Sequence, residues 1–457
     1  MSPRDSGQQS AAPAGKRLKA LLAPLHLEER PDDEFAKVWL ELQRLYGEVA
    51  EFLAPRPLGA PLPDVDAVVL PQLTGAAYRR LEEIGKIPVP VLAITSEFGT
   101  VSMWDWEIIS VLRAAGARIF APYTPGLARA LCRSLALRRE MREARFLVFQ
   151  DTPGEGMQAL IFKRFYWWEE TCARRMKEKF GVTVEKRSYR ELAEKAKRFP
   201  DAQAQEVSRA WSIPCAGVSA RGMNSAAKLY LALREELGKV ANVRGAGTNC
   251  LNESFYSDTT PCLAWDRLFE EQGLLWACEA DLLSLMTEYL VHGSLNAPVL
   301  TSNVYPFLVG LAALKHEHLE RFPDVPEPEN CLLVAHCGYF GLAPRAFAAE
   351  WTLRPKVLAI VDDNATAVDA RFPPGPVTLV KLDAAMERLL VIEGEIERYV
   401  QYPESHCRNG GVIRVRDGRE LMNRFCSHHL CFVPGDHRAE IENLCRVFDL
   451  EPDRMAK

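Results

Sequence analysis

Between about residues 65 and 150, short uniformly apolar runs alternate with amphipathic stretches, and this rhythm constrains the fold more than any other feature of the chain. Segments 65–70, 91–95, 117–121 and 144–150 read as strands, and 76–85, 102–115 and 124–138 as helices. Apolar residues also recur at helical spacing across about 30–54. Strands with no polar side, separated by helices, are those of an open parallel sheet covered on both faces. Segment 182–188 opens a second unit of the same kind, joined by a helix over 225–238 and a strand over 241–247. After about residue 345 the texture changes to short alternating β segments with glycine turns, closed by a helix over 437–450. The expected fold is α/β. It has two open parallel-sheet (Rossmann-like) domains over 31–180 and 181–344, a small antiparallel β-barrel-like domain over 345–457, and a disordered polar tail over 1–30.

Composition excludes several classes. A 457-residue chain that is 48% hydrophobic and 26% charged can bury large cores. Its 56 basic and 61 acidic residues leave a net charge of −5, so nucleic acid is not an expected partner. No apolar run reaches the ~18 residues of a membrane span, and the N-terminus lacks the apolar core of a signal peptide. Twelve cysteines without a CxxC pair suit reduced thiols in a cytoplasmic protein. The Cys426–Cys431 spacing fits alternating buried thiols on a strand better than a zinc site. Glycine-rich dinucleotide and P-loop fingerprints and the GxSxG elbow are absent.

The chemistry-bearing residues concentrate later. Glu279 and Asp281 sit between a strand and a helix, and His336, His428 and His429 follow. Carboxylates and imidazoles that close on one point can hold a hard divalent cation and move protons beside it. Glu279 ends a strand, where α/β sheets form ligand sites; the plain alternative is a helix-start carboxylate favoured by the dipole. Asp281 reads as the helix N-cap. On an alternating strand His428 and His429 point to opposite faces, so only one lines a site, with a slight preference for His428. On local grounds His336 is a satisfied structural imidazole. Trp104 and Trp106, flanking Asp105 and Glu107, suit sugar stacking, against the plainer alternative of core packing. Phe165, Tyr166, Trp167 and Trp168 read as an interface or core cluster, and the loop from Asp151 through Glu155 as a strand-end loop able to meet phosphate or sugar. Cys250, Cys262 and Cys278 read as small buried apolar residues.

The segment from about 225 to 340 resembles the L-fucose/L-arabinose isomerase superfamily, nearest its L-fucose isomerase-like branch. The likeness is carried by Cys250, Pro261-Cys262, Glu271 and Gly273, the run Trp276 through Asp281, and Ala335-His336-Cys337-Gly338. Ser405-His406-Cys407-Arg408 and His428 through Asp436 look like the same family's C-terminal pattern. The resemblance implies Mn²⁺, or Mg²⁺ or Co²⁺ in its place, and an aldose–ketose interconversion of an unphosphorylated sugar through an enediol. It also implies a homo-oligomer, a trimer or hexamer, in which a neighbouring subunit's N-terminal domain completes the sugar pocket. Glu279 then becomes metal ligand and general base, one of His428 and His429 a ligand, and His336 a substrate contact. Trp104 or Trp106 becomes a sugar-stacking residue, and Arg408 a group that fixes the site or forms a surface ion pair. One departure stands out. The second acidic ligand is expected on the strand over 297–307, where this chain carries Asn303. Asparagine offers a neutral oxygen and cannot act as a base. Two alternatives follow: an impaired isomerase-like protein that binds a sugar without converting it, and a lyase or epimerase with the same enediolate chemistry. A second carboxylate beside Glu279, from Glu253, Asp258 or Asp281, would restore the catalytic reading.

Overall fold

The computed structural model describes residues 18–73, 75–151, 165–309, 324–336, 338–356, 365–401, 408–425 and 427–455. Cys337, Ser405, His406, Cys407, Cys426 and Glu155, named above, lie outside the described residues. No described helix is long and apolar enough to cross a membrane.

The first sheet is wholly parallel. It contains β1 (Ala20–His26), β2 (Ala50–Phe52), β3 (Arg56–Pro57), β4 (Ala67–Leu70), β5 (Val91–Ala93) and β6 (Ile119–Phe120). Their order is β2-β1-β4-β5-β6, with β3 also beside β1. The expectation of a tail through residue 30 fails here, because six of the seven residues of β1 are buried in an inner strand. Pro24 and the polar flank argue against a strand locally, but burial of Leu22 and Leu25 on opposite faces outweighs them. Alternation divides the two cores. Ala67, Val69 and Leu92 join the large core shared with the rest of the molecule, while Val68, Leu70, Val91 and Ala93 join a separate core beneath the helices on the other face.

A second parallel sheet comprises β7 (Arg145–Phe149), β8 (Thr183–Arg187), β9 (Val243–Thr248) and β10 (Leu275–Ala277), in the order β10-β9-β7-β8. The antiparallel part follows: β11 (Leu300–Pro306), β12 (Cys331–Ala335), the hairpin β13 (Glu350–Pro355) and β14 (Thr366–Arg371), then β15 (Gly375–Leu382), β16 (Arg388–Gln401), β17 (Asn409–Arg414) and β18 (His429–Pro434). Six of these close a barrel, β15-β18-β11-β12-β17-β16 and back to β15. β19 (Glu451–Met455) adds to β16 in parallel. The barrel thus takes β11 and β12 from before the change in texture at residue 345.

The Leu282–Leu295 helix joins sheet to barrel. Twelve of its 14 residues are buried, as expected of a helix apolar on nearly all sides. It lies directly on β9, since a Cβ at Gly245 would meet Leu285 Cδ1 at 2.8 Å. On its other side Thr287 Oγ1 accepts a hydrogen bond from the Leu382 backbone N–H of β15 at 3.0 Å. Asp281 is its N-cap, accepting from Ser284 N at 2.9 Å. Capping of this kind contributes about 1 kcal/mol. The same helix start fixes the position of Glu279.

Candidate metal centre

The site lies where the C-terminal edge of the second sheet meets one end of the barrel. Beyond β10 the chain reverses through Glu279 and Ala280, both left-handed at φ 53° and 51°. Two consecutive non-glycine residues in this region cost on the order of 1–3 kcal/mol each and persist only when their surroundings enforce them. Here Trp168 Nε1 donates to Glu279 O at 2.7 Å, and Asp281 N donates to Cys278 O at 2.9 Å. The kink leaves the Glu279 carboxylate buried, with Oε2 3.7 Å from His428 Nε2 and 3.9 Å from His429 Nε2. These lengths exceed a hydrogen bond. Glu279 Oε2 and His429 Nε2 have no hydrogen-bond partner among the described residues.

His429 is held from behind. Its Nδ1 stands 3.0 Å from Asp281 Oδ2, and the carboxylate also accepts from Ser284 Oγ at 2.8 Å and from Lys381 Nζ at 3.0 Å. A carboxylate accepts only, so Nδ1 donates to Asp281 and Nε2 is the nitrogen that faces Glu279. This carboxylate–histidine relay commonly supports metal-bound imidazoles. Burial pushes the Asp281 carboxyl up, but the Lys381 ammonium and His429 together pull it well below the usual carboxylate range. Burial pushes the Glu279 carboxyl up, opposed by His429. Burial, reinforced by His429, holds both His428 and His336 well below the ordinary imidazole value. They are therefore neutral near pH 7, the form that ligates metals.

Both histidines face Glu279, which corrects the expectation that only one of them can. Strand alternation does not apply, because β18 begins at His429 and His428 precedes it. Asn303 pairs directly with His429 across the β11–β18 ladder, so the two side chains share a face; Asn303 Oδ1 is buried without a partner, and Nδ2 reaches Tyr305 Oη at 3.4 Å. His336 follows β12, the other neighbour of β11, and its ring centroid lies 6.1 Å from that of His429. Its Nε2 is buried and unpartnered.

Of the three residues considered as a second carboxylate, Asp281 sits behind His429 and is tied to Lys381. Glu253 accepts from Asp151 N at 2.9 Å, and Asp258 is exposed. Among the described residues, Glu279 is the sole carboxylate in the groups whose donor atoms converge: Glu279 with His428 and His429, and Cys278 with His336 and His429. These buried groups could hold a metal ion.

Trp104 and Trp106 are 72% and 58% exposed. They neither pack in the core nor make a ring contact with the histidines among the described residues. Arg408 donates its backbone N–H to Gly338 O at 2.6 Å and its charge acts on Tyr339; it supports the turn after His336, and among the described residues no hydrogen bond or ion pair links it to Glu279. The aromatic cluster has a larger part than core packing. Trp167 and Trp168 are buried, Phe165 stacks on Trp167 at 4.2 Å, and Trp167 lies 6.2 and 6.1 Å from the His428 and His429 rings, so the cluster walls the centre.

Two lysines escape the sequence reading. Lys381, on β15, is 1% exposed. Lys356 is 6% exposed, and its charge acts on Glu279, His336, Cys250 and Cys262. Only an unusually apolar setting for each lysine could have signalled them. Cys250 and Cys278 also depart from the picture of inert apolar residues, with their sulfurs 3.7 Å apart beside the centre. No protein-family model and no curated protein matches the chain.

Proposed function

We propose that this chain is a divalent-metal-dependent aldose–ketose isomerase of the L-fucose isomerase-like class, acting on an unphosphorylated sugar. The observation that carries the reading is the buried, unpartnered Glu279 oxygen facing two imidazoles, one of them oriented by Asp281. The donors suit a divalent ion: Glu279, His428 and His429 would hold it, with Asn303 Oδ1 as a neutral fourth donor. Mn²⁺ is favoured for this nitrogen–oxygen set, with Mg²⁺ or Co²⁺ as substitutes. Such an ion supplies positive charge to the substrate oxygens as the enediolate develops.

The chain's own groups do the rest. Glu279, made more basic by burial, takes the proton from C2 and returns it to C1, while the proton of the C2 hydroxyl passes to the C1 oxygen. His336 Nε2, with no protein partner, meets a sugar hydroxyl. Lys356 adds positive potential beside the carboxylate, and the Phe165–Trp168 wall excludes water. A cytoplasmic homo-oligomer belongs to the same proposal. Phe98, Trp104, Trp106 and Tyr123 follow the C-terminal ends of β5 and β6 and are largely exposed, which supports their covering a neighbour's pocket.

One specific observation favours the second reading, a sugar-binding homologue without turnover: Asn303, cross-strand partner of His429, stands where a second carboxylate would share proton transfer. The test is Mn²⁺ calorimetry on chelator-stripped protein, wild type beside Glu279→Ala, followed by a screen of aldoses for ketose formation. Binding lost in the variant, with turnover in the wild type, supports the isomerase. Binding without turnover of any aldose selects the second reading. No binding by the wild type overturns both.

A further inference from the structure

The carboxylate-containing group is not the only place where donors converge. Cys278, His336 and His429 are all buried, and one donor atom from each lies within 4.8 Å of the others. His336 Nε2 and His429 Nε2 lack hydrogen-bond partners. In a tetrahedral zinc site, bond lengths of about 2.3 Å to sulfur and about 2.0–2.1 Å to nitrogen put sulfur and nitrogen about 3.6 Å apart and two nitrogens about 3.3 Å apart. Side-chain adjustments of about 1 Å therefore suffice. One thiolate and two imidazoles with an open fourth position make a borderline-soft donor set, unlike the harder set around Glu279.

We propose that Cys278, His336 and His429 form a second cation position, selective for thiophilic ions such as Zn²⁺ or Cd²⁺, that excludes the oxygen-seeking ion from Glu279 by taking the same nitrogen of His429. The exclusion follows from the relay. His429 Nδ1 is committed to Asp281 at 3.0 Å, so only the Nε2 lone pair can bind metal, and one lone pair serves one ion. Cys278 directly precedes Glu279, and the left-handed kink at φ 53° lets the adjacent residues approach His429 separately. On binding, the Cys278 thiol gives its proton to solvent and its sulfur bonds the ion. The Cys250 sulfur, 3.7 Å away, then donates S–H to that thiolate and steadies it. A thiophilic ion would thus act as a competitive brake on the centre. The inference rests on donor geometry and shares His429 and His336 with the isomerase reading.

The experiment uses the full chain, stripped of metal. Cd²⁺ is titrated while the ultraviolet cadmium–thiolate charge-transfer band is followed, and Mn²⁺ is then titrated calorimetrically with and without saturating Cd²⁺. The expected result is one Cd²⁺ per chain with a thiolate band in wild type and in Glu279→Gln. The band should be lost, with affinity at least about tenfold weaker, in Cys278→Ser and His336→Gln, and saturating Cd²⁺ should abolish the Mn²⁺ heat. Either variant suffices if the other does not fold by circular dichroism. A band that persists in the folded variants comes from other thiols, such as the exposed Cys215, and overturns the proposal. So does simultaneous binding of Cd²⁺ and Mn²⁺. If Mn²⁺ never binds, the isomerase reading falls while the cadmium band still decides this one.

Discussion

Replacing Asp281 by Asn separates what the buried carboxylate does for the fold from what it does for the metal centre. Asp281 and Lys381 are 0% and 1% exposed. Neutralising Asp281 leaves an ammonium in the interior whose remaining partner among the described residues is Ser284 Oγ, at 2.6 Å. Removing one member of a buried pair costs about 3–5 kcal/mol. In a chain this long that is a fall in melting temperature on the order of 3–5 °C. Separately, Asn can offer either its oxygen or its amide N–H to His429 Nδ1, so the tautomer with Nε2 facing Glu279 is no longer enforced. Loss of such an outer partner typically weakens metal binding about 10–100-fold. The double variant Asp281→Asn/Lys381→Met makes the two effects diverge: the stranded charge is gone, so most of the melting temperature returns, while Mn²⁺ affinity stays low. Thermal melts and Mn²⁺ calorimetry on wild type, both single variants and the double variant provide the measurement. A double variant that regains both stability and affinity would refute the relay. Unchanged Mn²⁺ affinity in a folded Asp281→Asn protein would do the same.

Glu288, on the buried helix, gives a pH test, because burial pushes its carboxyl from an ordinary 4.5 up to about 8. The folded state keeps this proton across that interval while the unfolded state releases it, so the associated stability is complete below 4.5 and lost as pH rises to about 8. Glu288→Gln should therefore melt above wild type at pH ~8.5, with the gap shrinking toward pH ~5; a pH-independent gap counts against the assignment. Gly411→Ala places a Cβ 2.5 Å from Phe340 Cε2 inside the barrel, and the overpacking should cost about 1–3 kcal/mol in urea unfolding; a neutral variant would show that Phe340 yields. Trp104→Ala and Trp106→Ala should shift stability of the isolated chain by less than ~0.5 kcal/mol while lowering the mass measured by light scattering. Unchanged mass would remove these residues from a subunit interface.

The sequence already carried the parallel sheets, since strands such as Val91–Ala93 are buried on both faces and read as unbroken apolar runs. It carried Asp281 as an N-cap, because capping is a local interaction. It also marked Glu279, His336 and the His428–His429 pair as candidates, through local pattern and family likeness. Tertiary structure decided how they meet. Asp281 binds His429 from 148 positions away and Lys381 from 100, and nothing local to any of these residues encodes that partnership. Strand alternation gave the wrong limit for His428 because the strand starts one residue later. Trp167 became a wall of the centre only because the second sheet and the barrel pack at that edge. The physical reason is general: backbone propensity and hydrophobic period act over a few residues, while the free energy of a buried charge depends on whatever the folded chain brings within a few ångströms of it.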